Sequence, residues 1–150
     1  MEQIFIFRLS NSNYMKKFLS TAYSETAFNL TTLVLRLTFG LMVCILYGFD
    51  KIMHFSNLRV IFPDPLHIGH RWSLVLVIFA ETLCGLLLVL GLFTRFAALV
   101  LVISFGVAAF LVHKGHVQVH SEQAYLYLAA FFSILLVGPG RISVDAMMGK

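Results

Sequence analysis

Charge is what this sequence has least of: 12% of its 150 residues are Asp, Glu, Lys or Arg, against about 25% in an ordinary soluble domain. Cysteine is limited to two residues, proline to three and tryptophan to one. So little charge excludes water as the main solvent of the chain. Cys44 and Cys84 each lie inside an apolar run and form no CxxC pair, which disfavours thiol redox chemistry and says nothing of an oxidising compartment. Near the N-terminus the only apolar patch is residues 4–7, with no long apolar stretch leading to a small-residue cleavage site, so no cleavable signal peptide is expected. Met15, followed by Lys16 and Lys17, reads as a fresh start ahead of the first apolar run, which makes residues 1–14 a start-site artefact or a tail.

What is there instead is apolar length: 59% of the residues are hydrophobic and the mean hydropathy is +0.89. The net charge of +4 and pI near 9.3 would suit a nucleic-acid binder if the basic residues were clustered. They are scattered at the ends of apolar runs and in connections, a pattern of topology determinants and lipid headgroup contacts, so the expected partner is the bilayer and not nucleic acid.

Four apolar runs are long enough to consider as spans of a hydrocarbon core ~30 Å thick. They cover about residues 29–49, 72–93, 96–112 and 122–137, and predict an all-α membrane protein, a four-transmembrane-helix antiparallel bundle. Residues 1–28 are then a cytoplasmic tail, 29–146 the membrane domain and 147–150 a short tail, with no room for a separate soluble catalytic domain. Pro63 and Pro65 break the connection 50–71, whose apolar piece 60–62 is too short to span. Thr94 and Arg95 are expected to turn the chain between the second and third helices, and Gly138-Pro139-Gly140 to stop the fourth. On the side of the termini lie Arg8, Lys16, Lys17, Arg95, Arg141 and Lys150, and on the other Lys51, Arg59, Arg71 and Lys114, so the positive-inside rule places both termini in the cytoplasm.

Arg36 and Glu81 are the residues that cost most to keep in a membrane, since a charge at a helix centre opposes insertion by at least ~2.5–3.5 kcal/mol. On the first helix Thr32, Arg36, Gly40, Cys44 and Gly48 recur every four residues, a polar and small-residue stripe expected to face the bundle interior. On the second, Glu81, Cys84 and Gly85 share a face. Counting rises from the outer ends puts Glu81 ~12 Å deep and Arg36 ~20 Å deep, an offset within the reach of an arginine. Two readings follow: a structural ion pair that fixes helix register, or a polar ligand or proton site near the midplane with Arg36 and Glu81 as its catalytic pair. The same count separates Cys44 from Cys84 by ~9 Å, too far for a disulfide.

Other polar residues carry blander expectations. Asp50 and Lys51 read as helix-end caps and headgroup contacts, and Tyr47, Tyr125 and Tyr127 as interfacial belt residues. His113, His116 and His120 lie near Glu122, with His54, His67 and His70 on the same side. Imidazole clusters hold transition metals, but Gly115 and the Val-Gln-Val alternation argue against a helix that would align the three, so a solvated loop and no metal site is expected.

The order of these features resembles the DoxX family of small four-helix membrane proteins over residues 33–146. The likeness rests on LVLRLTFG at 33–40, GFDKIMHF at 48–55, AETLCGLLLVLGLFTR at 80–95, Glu122 opening the last helix, and GPGRISVD at 138–145. It implies a bacterial plasma membrane protein whose polar pattern is Arg36, Lys51, Glu81, Arg95, Glu122, Arg141 and Asp145, with Arg141 and Asp145 organising the cytoplasmic end. It also implies membership of a group that includes the large subunit of a thiosulfate to quinone oxidoreductase and membrane partners of redox-stress enzymes. With no second soluble portion to hold a sulfur substrate, thiosulfate itself is not expected here.

Three functions compete. The first is a membrane subunit of a quinone-linked redox system, with quinone as cofactor and Glu81 as proton carrier. The second is a non-catalytic scaffold that recruits a soluble redox partner protein, and the third a carrier, which with four helices would require a homo-oligomer.

Overall fold

The computed structural model describes residues 24–112 and 122–149. The N-terminal tail with Met15, the histidine loop with Lys114, and Lys150 lie outside the described residues. Among the described residues there are helices and connections and no strand.

Helix α1 (Glu25–Met53) is the longest at 29 residues. It starts at Ser24, whose hydroxyl accepts from the Ala27 amide, and it carries Glu25 in the first turn, where an acid complements the helix dipole. It does not stop at Phe49 as its apolar run does. Nothing at 50–53 breaks a helix, and the run Asp50–Met53 continues it. After a turn at His54 comes α2 (Phe55–Ile61), ended by Phe62 in an extended conformation, as a residue before proline prefers. A sequence reading that sees only a polar connection misses both pieces.

Helix α3 (His70–Leu90) follows, and then α4 (Thr94–Val112). The turn between them falls earlier than the apolar pattern suggests. Gly91 takes a left-handed φ of 70° at the end of α3, and Phe93 one of 48°, so the chain reverses over Gly91–Phe93 and Thr94 already opens α4. Helix α5 (Glu122–Val137) has 16 residues and ends where Gly138 turns left-handed, with φ 86°. A last short helix, α6 (Val144–Met147), starts at Ser143, whose hydroxyl accepts from the Ala146 amide.

By length and composition α1, α3 and α4 can each cross a membrane, and α5 is a shorter apolar helix; its 16 residues rise only ~24 Å. Helix α1 packs on α3 and α5, and α4 packs on α3 and α5, so the four close into a ring. Inside it lie Val43, Cys84, Leu88, Ala97, Ala98, Leu101, Phe105, Tyr127, Phe131 and Ile134. Outside it Leu46, Phe110, Leu126 and Leu136 remain exposed, which suits acyl chains rather than water. Of the small and polar stripe on α1, Thr32, Arg36, Gly40 and Gly48 are buried and Cys44 is half-buried.

The α1–α3 contact is set by glycines. A Cβ on Gly40 would lie 2.8 Å from a Val89 methyl, one on Gly85 3.2 Å from Cys44 Cβ, and one on Gly48 2.4 Å from Thr82 Oγ1. These close approaches fix an antiparallel register in which Gly40 faces Val89, Cys44 faces Gly85 and Gly48 faces Thr82. Both helices are locally π-helical along this contact, over Val43–Phe49 and Phe79–Cys84, and α4 ends in a third such stretch, Ala108–Val112.

Candidate functional site

That register separates the two membrane charges. Arg36 lies about twelve residues along α1 from the level of Gly48 and Thr82, or ~18 Å, so the Arg36–Glu81 ion pair that the sequence allows does not form. Depth counts mislead here because they take the outer ends of the two helices as level, whereas in this register Phe49 lies level with about residue 81, well inside the start of α3 at His70. Level ends also imply a ~9 Å depth separation of Cys44 and Cys84, whereas Cys44 packs on Gly85, next to Cys84; both thiols are free.

Glu81 is paired with Lys51. The ammonium Nζ donates to Glu81 Oε2 at 2.7 Å, with the two side chains 17% and 6% exposed. Nζ also lies 3.5 Å from the Tyr47 carbonyl oxygen and 5.2 Å from the centre of the Tyr47 ring, within cation–π range. The continued helix makes this contact: Lys51 is one turn beyond Tyr47 on the same face of α1, and its flexible stem reaches to the carboxylate on α3. Tyr47 in turn donates its hydroxyl to Gln123 Oε1 at 2.8 Å, which ties the site to the first turn of α5.

Tyr47 and Tyr127 are not belt residues. Tyr127 is buried, its ring 5.3 Å from that of Tyr47 and stacked 4.9 Å from Phe105. With Phe39 and Phe131 they form an aromatic cluster under the ion pair. Tyr125 is half-buried against Phe110. Thr82, next to Glu81, has a buried hydroxyl with no hydrogen-bond partner among the described residues.

A second polar centre lies at the far end of the bundle. Arg36, 1% exposed, donates through its two terminal nitrogens to the carbonyl of Pro139 and, at 2.9 Å, to that of Ile142. Gly91 makes room for it, since a Cβ there would come 2.9 Å from the guanidinium carbon. Asp145 is buried and its carboxylate accepts from the Phe93 and Thr94 amides, each at 2.8 Å, so a residue more than fifty positions away caps α4. The Asp145 amide donates to Gly91 O at 2.9 Å, and the Arg141 amide to Asn29 Oδ1 at 2.8 Å. The segment 138–145 is thereby strapped across the ends of α1, α3 and α4. The two terminal nitrogens of Arg36 and both carboxylate oxygens of Asp145 are taken up by backbone groups, while Arg36 Nε has no hydrogen-bond partner among the described residues; the centre does the work of a clasp.

The side chains of the remaining family-pattern residues are exposed. The exposed Arg141 side chain pairs with Glu25 at 3.0 Å. Arg95 is exposed and lies over Gly138. Glu122 is exposed in the first turn of α5. The Lys51–Glu81 partnership, and the role of Tyr47 and Tyr127 beside it, were missed in the sequence; the available signal was the Tyr47–Lys51 helical spacing together with the paired glycines that set the register.

Taken together, the fold and the buried pair define a small helical membrane protein that holds an acid and a base within its ring of helices. A family model, DoxX, matches residues 31–114, more than half of the chain, and the chain belongs to the DoxX family. No curated protein and no solved structure matches it.

Proposed function

We propose that this DoxX-family chain is the membrane subunit of a quinone-linked redox system, crossing a bacterial plasma membrane four times with both termini in the cytoplasm. The observation that supports this reading is the Lys51–Glu81 pair, 17% and 6% exposed, set beside the Tyr47 and Tyr127 phenols. Maintaining two charges there has a desolvation cost of several kcal/mol per ion, and such a site inside a membrane points to ligand or proton handling. Lys51 can donate to a quinone oxygen and Glu81 can carry the accompanying proton. Arg36, which sequence reasoning joined to Glu81, belongs to the clasp and positions the 138–145 segment; Arg95, Glu122, Arg141 and Asp145 serve the helix ends.

The test is purification in mild detergent from the native host with mass spectrometry of the co-extracted lipid. Stoichiometric quinone that is lost in Glu81→Gln supports the reading; its absence from the wild-type protein sinks it.

A scaffold for a soluble redox enzyme is the second reading, favoured by the clasp end, where Met147 is 86% and Ile142 53% exposed beside Arg141. A stoichiometric partner enzyme in the same preparation, without quinone and unaffected by Glu81→Gln, would select it.

A further inference from the structure

The hydrogen-bonding capacity left over at Lys51 and Glu81 discriminates between ligands. Glu81 uses Oε2 on Lys51; its other oxygen has no hydrogen-bond partner among the described residues, and it is not among the fully sealed polar atoms. Lys51 has three N–H groups, of which one goes to Glu81 and one to the Tyr47 carbonyl, and its side chain remains 17% exposed. One cationic donor and one anionic acceptor are therefore left side by side. Tyr47 is already committed to Gln123 and does not compete for them.

We infer that the Lys51–Glu81 pair recognises a phenolic hydroxyl, the reduced member of a quinone couple, in preference to a quinone carbonyl; this rests on the quinone-linked reading above. A hydroxyl is both donor and acceptor. It gives its hydrogen to the free Glu81 oxygen and takes one from Lys51, which completes both groups with charge-assisted bonds. A carbonyl is an acceptor only. It satisfies Lys51 but brings lone pairs against the Glu81 oxygen, and a site built to bond a hydroxyl discriminates against a ligand that lacks one. The Tyr47 ring, its centre 5.2 Å from Lys51 Nζ, flanks the pair on one side.

The experiment measures partition-corrected binding of decylubiquinone and of its hydroquinone, under anaerobic conditions, to the full chain in mild detergent. The wild-type protein is expected to bind the hydroquinone at least ~10-fold more tightly, the gain of one good hydrogen bond. In Glu81→Gln the carboxamide offers both a donor and an acceptor, so the ratio should fall toward one. The double variant Lys51→Met/Glu81→Gln leaves no buried charge unpaired and should bind both forms weakly. Equal affinities, or tighter quinone binding, in the wild-type protein overturn the inference while leaving the quinone-linked reading intact, as does a preference that survives in Glu81→Gln. Binding of neither form by the wild-type protein sinks that reading and this one with it. The wild-type ratio decides the matter even if the single variant does not fold.

Discussion

Replacing Glu81 by glutamine removes the counter-charge of Lys51 and leaves an ammonium group held among apolar helices. Breaking a buried pair from one side costs about 3–5 kcal/mol, whereas removing both charges is often neutral. The expected outcome is a markedly lower thermal midpoint in detergent for Glu81→Gln and recovery of most of it in Lys51→Met/Glu81→Gln. The glycines give a second test at this scale. A Cβ on Gly48 would lie 2.4 Å from Thr82 Oγ1 and 2.9 Å from Thr82 N, while one on Gly106 meets nothing nearer than 3.9 Å. Gly48→Ala should destabilise by about 1–3 kcal/mol through overpacking, and Gly106→Ala should be neutral or stabilising because alanine is the better helix former; parallel thermal melts compare them. What the sequence reveals at this scale is which residues are expensive. Arg36 and Glu81 stand out because a charge in an apolar run is visible without any structure. Their partners are hidden, because Arg36 binds backbone carbonyls, which leave no signature in the side-chain alphabet, and Lys51 lies beyond the end of the apolar run that it serves.

Between residue and molecule, the helices show where pattern and geometry part. Apolar runs located the four long helices to within a few residues, since burial or lipid contact demands apolar side chains along the whole length. Their ends were less legible. The α3–α4 turn depends on left-handed backbone at Gly91 and Phe93 and on a cap from Asp145, which no local motif announces. Asp145→Ala should leave the Phe93 and Thr94 amides without their acceptor and cost about 1–2 kcal/mol, seen as faster hydrogen exchange at the start of α4 with the α1–α3 contact unaffected. The connection before α3 offers a pH test. Partial desolvation raises the Asp64 carboxyl, but hydrogen bonds from Ser73, Gly69 and Ile68, with His70 nearby, outweigh it and hold the group below the usual carboxylate range. A depressed acid contributes stability that is present above its unfolded value, near 3.9, and is lost as pH falls through the folded one. Protection of the Gly69 amide should therefore persist down to about pH 4 and disappear below it. The every-fourth-residue stripe on α1 also has an explanation here: in a straight α-helix such a stripe drifts by about 40° per step, and the π-helical stretch Val43–Phe49 winds more residues into a turn and so offsets the drift over its last steps.

For the whole molecule, the ring of four helices carries one polar centre at each end, with an aromatic and aliphatic core between them. The sequence conveys the class, an apolar helical chain with a DoxX pattern, because solvent and family are both written in composition and motif. It does not convey that the two membrane charges serve different ends, because that depends on helix register. Orientation is testable as a property of the whole: with both termini cytoplasmic, a membrane-impermeant thiol reagent should label a cysteine introduced at Asp64 in intact cells and leave one at Met147 unlabelled until the membrane is opened. The clasp has a consequence for how the protein is made. Arg36 lies in α1, the first of the described helices long enough to cross a bilayer, while the carbonyls that receive it are 103 and 106 residues further along the chain. During synthesis α1 must therefore wait with an unmatched charge, and it is released from that condition only when the final segment arrives. A chain stopped at Val137 should insert and yet fail quality control, being degraded faster than the full chain in pulse-chase, and Arg36→Met in the same shortened chain should slow that loss.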